Sequence, residues 1–168
     1  MPLIVQPLIH GTGEGLFGHA TKDGVVAWSA HRRVRMLNPQ GSASSACESF
    51  PVDQGLIGPA ERFLTGLGWR GLFMLEFLRD RAGTPWFMEL NGRAWGSLAL
   101  ARRRGFEYPA WTVRAALDDW PRLWPTVRGL ARVSPRRHRL YNWNRRQPRV
   151  LAADTYQTLR AYARRARR

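Results

Sequence analysis

Residues 71–97 read GLFMLEFLRDRAGTPWFMELNGRAWGS, and the fold is decided here. Residues 71–78 form a strongly apolar run with one acid, Glu76, between Leu75 and Phe77. Residues 85–90 form a second apolar run, with Glu89 between Met88 and Leu90. Both runs have strand length, and the polar segment 79–84 between them has turn length, so the pair predicts an antiparallel hairpin. A carboxylate among apolar neighbours is costly unless a cation or hydrogen-bond donors meet it. On paired strands Glu76 and Glu89 can point to one face. Asn91, two residues past Glu89, shares that face. Two carboxylates and an amide oxygen are a hard, all-oxygen set of the kind Mg²⁺ takes, with Mn²⁺ a second candidate. Arg93 adds a guanidinium beside them. Either acid alone is more often a solvent-facing edge residue or half of an ion pair, and it is the two together with an in-register Asn and Arg that turn the reading to a site.

Working outward from the hairpin, residues 59–67 place Ala60, Phe63, Leu64 and Leu67 at helical spacing, and Gly68 ends that helix. Residues 38–45 are a Pro/Gly/Ser loop. Upstream of it, residues 16–21 and 25–30 read as two strands joined by the turn Lys22-Asp23-Gly24. The second runs into an Arg-rich end, His31-Arg32-Arg33-Val34-Arg35, in which His31 and Arg33 alternate onto one face. A charge run of this kind is ordinarily a solvated strand end, and Arg32 and Arg35 are read that way. Residues 10–15 (HGTGEG) read as a glycine-rich connection. Residues 3–9 read as a buried strand interrupted by Pro7.

Downstream, residues 97–104 predict a helix capped by Ser97. After Pro109 the pattern is helical, broken at Pro121, Pro125 and Pro135, and ends in a basic helix over 155–168 with Tyr156, Leu159, Tyr162 and Ala163 on one face. The net charge of +15 on 168 residues is unevenly spread. Residues 1–99 hold nine basic and eight acidic residues, a net of +1; residues 100–168 hold eighteen Arg and four acids, a net of +14. Only Lys22 is a lysine, so any other cationic contact to phosphate must use Arg, which suits bidentate oxyanion binding. The order of elements predicts an α+β layer: an antiparallel sheet with helices on one side, followed by a basic helical tail. The division is 1–109 for the sheet domain and 110–168 for the Arg-rich extension. No apolar run reaches membrane-span length, so no membrane partner is expected. Cys47 is the only cysteine, which excludes an internal disulfide and fits a reducing, cytoplasmic setting.

Glu76 followed by Glu89-Leu90-Asn91-Gly92-Arg93 resembles the C-terminal metal and phosphate motif of the ATP-grasp superfamily. The longer string MELNGRAWGSLAL is similar to predicted ATP-grasp carboligases related to carbamoyl-phosphate synthase. The usual Pro between Asn and Arg is Gly92 here. Gln6-Pro7-Leu8-Ile9 resembles the family's adenine-binding hinge strand, with Gln6 where many members have Glu. Gly11-Thr12-Gly13-Glu14-Gly15 resembles its glycine-rich loop. His31 and Arg33 resemble a biotin carboxylase segment facing the nucleotide.

The resemblance covers residues 3–109 and implies a function. The expected activity is an ATP- and Mg²⁺-dependent ligase joining a small-molecule carboxylate to an amine through an acyl-phosphate. Glu76, Glu89 and Asn91 are the implied metal ligands. Arg93 and Arg33 are the implied catalytic residues. Gln6, Pro7, Leu8, Ile9, Glu14 and His31 are implied at the nucleotide, with the Pro7 carbonyl and Ile9 N–H pairing to adenine and Glu14 reaching the ribose. The family's other ATP-binding subdomain is an implied partner, so the chain is expected to be part of a larger unit. A basic RNA- or anion-binding module built on residues 100–168, with Tyr141 and Trp143 stacking among Arg145 and Arg146, is the alternative from another class. A nucleotide-binding unit without catalysis is the other.

Overall fold

The computed structural model describes residues 3–36, 44–117 and 139–141, together with Tyr156 and Leu159. Its elements are β1 (Gly11–Thr21), β2 (Gly24–Met36), β3 (Ser44–Phe50), α1 (Gln54–Gly66), β4 (Gly71–Asp80), β5 (Pro85–Asn91), α2 (Leu98–Arg102), α3 (Tyr108–Ala116) and β6 (Arg139–Tyr141). The strands form one antiparallel sheet in the order β5-β4-β1-β2-β3-β6. The expected β4–β5 hairpin is present. Gly83, at φ +88°, turns it in the left-handed conformation that suits glycine, and Asp80 Oδ1 accepts from the Thr84 N–H at 2.8 Å.

Alternation along the strands gives the sheet two apolar faces. On one, Leu16, Phe73, Leu75 and Phe77 pack with Ala60 and Leu64 of α1. On the other, Phe17 and Ala27 pack with Trp95, with Ala101 of α2, and with Tyr108 and Trp111 of α3. The helices are therefore shared between the two faces, where one covered side was expected. The buried Tyr108 hydroxyl donates to Ser29 Oγ at 2.9 Å, which fixes α3 on β2. A boundary at residue 109 would cut α3 and remove Trp111 from the core. Residues 139–141, expected in a helical extension, instead add a strand to β3.

Three local expectations need correction. Residues 3–9 form no strand, and Leu3, Ile4, Val5 and Leu8 are 81–93% exposed. Among the described residues no strand pairs with them, and Pro7 lacks an N–H. The glycine-rich segment is no connection either: Gly11, Gly13 and Gly15 lie within β1, paired to β4. The helix expected from Pro59 begins at Gln54, where Asp53 Oδ1 accepts from the Gly55 N–H at 3.0 Å.

The proline-broken helices expected around Pro121, Pro125 and Pro135 lie outside the described residues. So do Trp143, Arg145, Arg146 and most of the basic helix at 155–168, of which Tyr156 and Leu159 are helical and exposed. No helix among the described residues is long and apolar enough to cross a membrane.

Candidate functional site

One row of residues crosses four strands in register. His31 on β2 is opposite Gly15 on β1, Gly15 is opposite Glu76 on β4, and Glu76 is opposite Glu89 on β5. Directly opposed residues of antiparallel strands share a face, so His31, Glu76 and Glu89 project together. Asn91, opposite Met74, joins them two residues along. This is the face that carries α2 and α3. A cavity of about 300 Å³ opens on it, bounded by Glu76, Glu89, Asn91, Arg93, Arg33 and His31. Those six came from widely separated parts of the sequence, and the sheet brings them to one place.

The glycines of β1 make room for the site. A Cβ at Gly15 would stand 2.3 Å from Phe17 Cζ, and one at Gly13 would stand 2.5 Å from Arg33 Cδ. The Phe17 ring and the Arg33 side chain therefore lie over the glycine strand. Arg33 NH2 reaches across it to donate to Glu76 Oε1. Glu89 Oε1 accepts from Asn91 Nδ2 at 2.7 Å, an arrangement that leaves Asn91 Oδ1 for another donor or a cation. Arg93 is exposed, and its NH1 donates only weakly, to the Ala94 carbonyl at 3.3 Å. A Cβ at Gly92 would stand 2.3 Å from the Trp69 ring, so the residue that departs from the family motif is the one that admits this indole.

His31 is 3% exposed. Burial first, and the Arg104 charge second, push its pKa down to about 3, so the imidazole is neutral at pH 7. Its Nδ1 shares a hydrogen bond with Ser97 Oγ at 3.1 Å. Ser97 was expected to cap α2, but its side chain makes no capping bond. Cys47 lies in the same wall. Burial raises its pKa to about 11 despite hydrogen bonds from Ser44 and Ser97, so it is a thiol and not a thiolate nucleophile at neutral pH. Phe17, stacked on Trp95 at 4.5 Å between ring centroids, closes the apolar side.

Other expected residues fall elsewhere. Glu14 is opposite Phe77 and Arg32, hence on the α1 face by alternation. Its carboxylate accepts from Arg79 Nε at 2.8 Å, and Arg79 NH2 also donates to Asp53 Oδ2 at 2.8 Å. Glu14 borders the cavity, and its carboxylate is engaged in that ion-pair network. Gln6, Pro7, Leu8 and Ile9 do not line the cavity. Arg32 is not a solvated strand-end charge: its Nε donates at 2.7 Å to Glu48, whose side chain is 3% exposed. Arg35 Nε donates to Ser45 Oγ at 2.8 Å.

The donor chemistry fits a hard divalent cation. Among the described residues no group of three His, Cys, Asp or Glu could hold a metal. Glu76, Glu89 and Asn91 are instead two carboxylates and an amide, which suits a cation that completes its shell with water and substrate phosphates.

No protein-family model matches the chain, and no curated protein matches it. Solved structures do. An L-amino acid ligase from Bacillus licheniformis superposes over 66% of this chain with a TM-score of 0.53 at 16% identity. The biotin carboxylase of Campylobacter jejuni, solved as a β-γ-ATP complex, superposes over 77% with a TM-score of 0.52 at 14% identity. The biotin carboxylase domain of a Hydrogenobacter thermophilus 2-oxoglutarate carboxylase, solved with MgADP and bicarbonate, superposes over 64% with a TM-score of 0.50 at 13% identity. The matches span 30%, 27% and 25% of those chains, respectively. The likeness shows the fold alone: the described residues share the fold of the matched part of these three chains.

Proposed function

We propose that this chain is the metal- and phosphate-binding part of an ATP-dependent carboxylate–amine ligase. One observation carries the reading: Glu76 and Glu89 stand opposite each other on adjacent strands, with Asn91, Arg93 and Arg33 on the same cavity. In the reaction a substrate carboxylate attacks the γ-phosphorus of ATP, releasing ADP and forming an acyl-phosphate. An amine then attacks the acyl carbon, and phosphate leaves as the amide forms. Catalysis in such transfers is mostly positioning and charge stabilisation.

The chain's own groups divide that work. Glu76, Glu89 and Asn91 would hold Mg²⁺, with Mn²⁺ as the alternative. When bound, the cation neutralises the β- and γ-phosphate oxygens. Arg33 and Arg93 bind anionic oxygens of the transferring phosphoryl group and of the carboxylate, for which a planar guanidinium is shaped. His31, neutral and held by Ser97, offers a hydrogen bond without adding charge. The Pro7 carbonyl and Ile9 N–H, outside the sheet, supply backbone contacts for adenine. The remainder of the nucleotide clamp comes from the family's other subdomain.

Four arginine substitutions test this. Arg33→Ala and Arg93→Ala should each slow ADP release, measured in the full-length protein with a panel of carboxylates and amines, by about two to three orders of magnitude. Arg35→Ala should leave the rate near wild type. Arg32→Ala should act on stability, because it strips a partner from the buried Glu48. Equal rate losses in all four would reduce the strand to a generic basic patch.

A further inference from the structure

The proposed metal site contains an ion pair of its own. Arg33 NH2 bonds Glu76 Oε1, and the two side chains are 20% and 15% exposed. They belong to strands that are not neighbours: Arg33 is on β2 and Glu76 on β4, with β1 between them. The guanidinium crosses that gap over Gly13, where a Cβ would stand 2.5 Å from Arg33 Cδ and 3.1 Å from its Nε. A larger residue at position 13 would push Arg33 aside. Among the described residues Glu89 has no such cation; its contact there is the Asn91 amide. One carboxylate of the pair is therefore neutralised by the protein itself and the other is not.

This asymmetry matters to an arriving cation. Alone, it must break the Arg33–Glu76 bond and then sit beside a displaced positive charge in a partly covered site, where charges interact more strongly than in water. Accompanied by phosphate, it brings anionic oxygens to which the guanidinium can transfer. We propose that Arg33 is a resident counter-ion of Glu76 that competes with free divalent cation, so that metal is admitted together with a phosphate-bearing nucleotide and not ahead of it. The inference rests on the reading of Glu76, Glu89 and Asn91 as metal ligands. It adds to Arg33 an earlier role than phosphoryl binding, as a gate on cation entry.

The test is Mn²⁺ binding to the full chain, followed through the free-ion paramagnetic resonance signal, first with MnCl₂ alone and then with a non-hydrolysable ATP analogue. Arg33→Met should bind Mn²⁺ alone roughly tenfold more tightly than wild type, the change that about 1.4 kcal/mol produces. The gain in affinity that the analogue brings should shrink in the same variant. Gly13→Ala, which displaces the arginine without removing it, should shift Mn²⁺ binding in the same direction. Mn²⁺ affinity that is unchanged or weaker in both variants, while wild type still binds the ion with the analogue, overturns the counter-ion role and spares the metal site. Absence of Mn²⁺ binding in every protein, analogue present, overturns the metal assignment and this inference with it.

Discussion

Replacing Glu89 by Gln should weaken Mn²⁺ binding in the presence of an ATP analogue by at least about 100-fold, the upper range for losing even an outer-sphere partner of a metal. It should also abolish metal-dependent ADP release. The substitution keeps the shape of the side chain while removing its charge and one of its two acceptor oxygens. Glu89 lies on an edge strand with its side chain exposed, and its recorded contact is the Asn91 amide. Folding should therefore hardly notice the change, and the unfolding midpoint should stay close to wild type. Glu76→Gln behaves differently, because it also strands the Arg33 guanidinium in a partly covered position. It should lose metal affinity and some stability together. Equal metal affinity in Glu89→Gln and wild type would place the cation elsewhere.

Mild acid should destabilise the fold through two buried histidines, His19 and His31. Burial holds the pKa of His19 down to about 4 and that of His31 down to about 3, both from 6.5. Both folded values lie below the unfolded one. The unfolded chain therefore takes up protons below pH 6.5 that the folded chain refuses, and stability falls as pH falls. The loss runs from about 6.5 down to about 4 for His19 and about 3 for His31. Each group contributes a slope approaching about 1.4 kcal/mol per pH unit. Between pH 6.5 and 5 the two together should cost about 3 kcal/mol, a large part of an ordinary domain's stability. Urea denaturation at several pH values measures this, and His31→Gln should roughly halve the slope. A stability profile flat across that interval would mean that neither imidazole is held neutral by its surroundings.

The hairpin that carries Glu76 and Glu89 was legible because a charge inside an apolar run is unusual and two such runs joined by a short turn fix each other's register. The glycine strand was misread for a related reason. Glycine in isolation signals a turn, but Gly11, Gly13 and Gly15 recur at every second position, which is the strand period. Gly13 and Gly15 mark the side of β1 over which Arg33 and Phe17 lie. β3 went unseen because Ser44–Phe50 is small and almost wholly buried, with no alternation to reveal it. The His31–Ser97 bond joins residues 66 positions apart and depends on how α2 sits over β2 and β3, which no local pattern encodes. The Glu14–Arg79 ion pair was equally hidden: it joins residues 65 positions apart on β1 and β4, and only the strand register brings them together.

Where a cation binds decides the role of Glu76, Glu89 and Asn91 most directly. A crystal of the full chain soaked with Mn²⁺ and a non-hydrolysable ATP analogue, measured at a wavelength where manganese scatters anomalously, would locate it. The expected result is an anomalous peak bounded by Glu76, Glu89 and Asn91, with Arg33 turned from Glu76 towards the phosphates. A peak away from these three residues, or a bound nucleotide with the Arg33–Glu76 pair intact and no peak between the two acids, would contradict it.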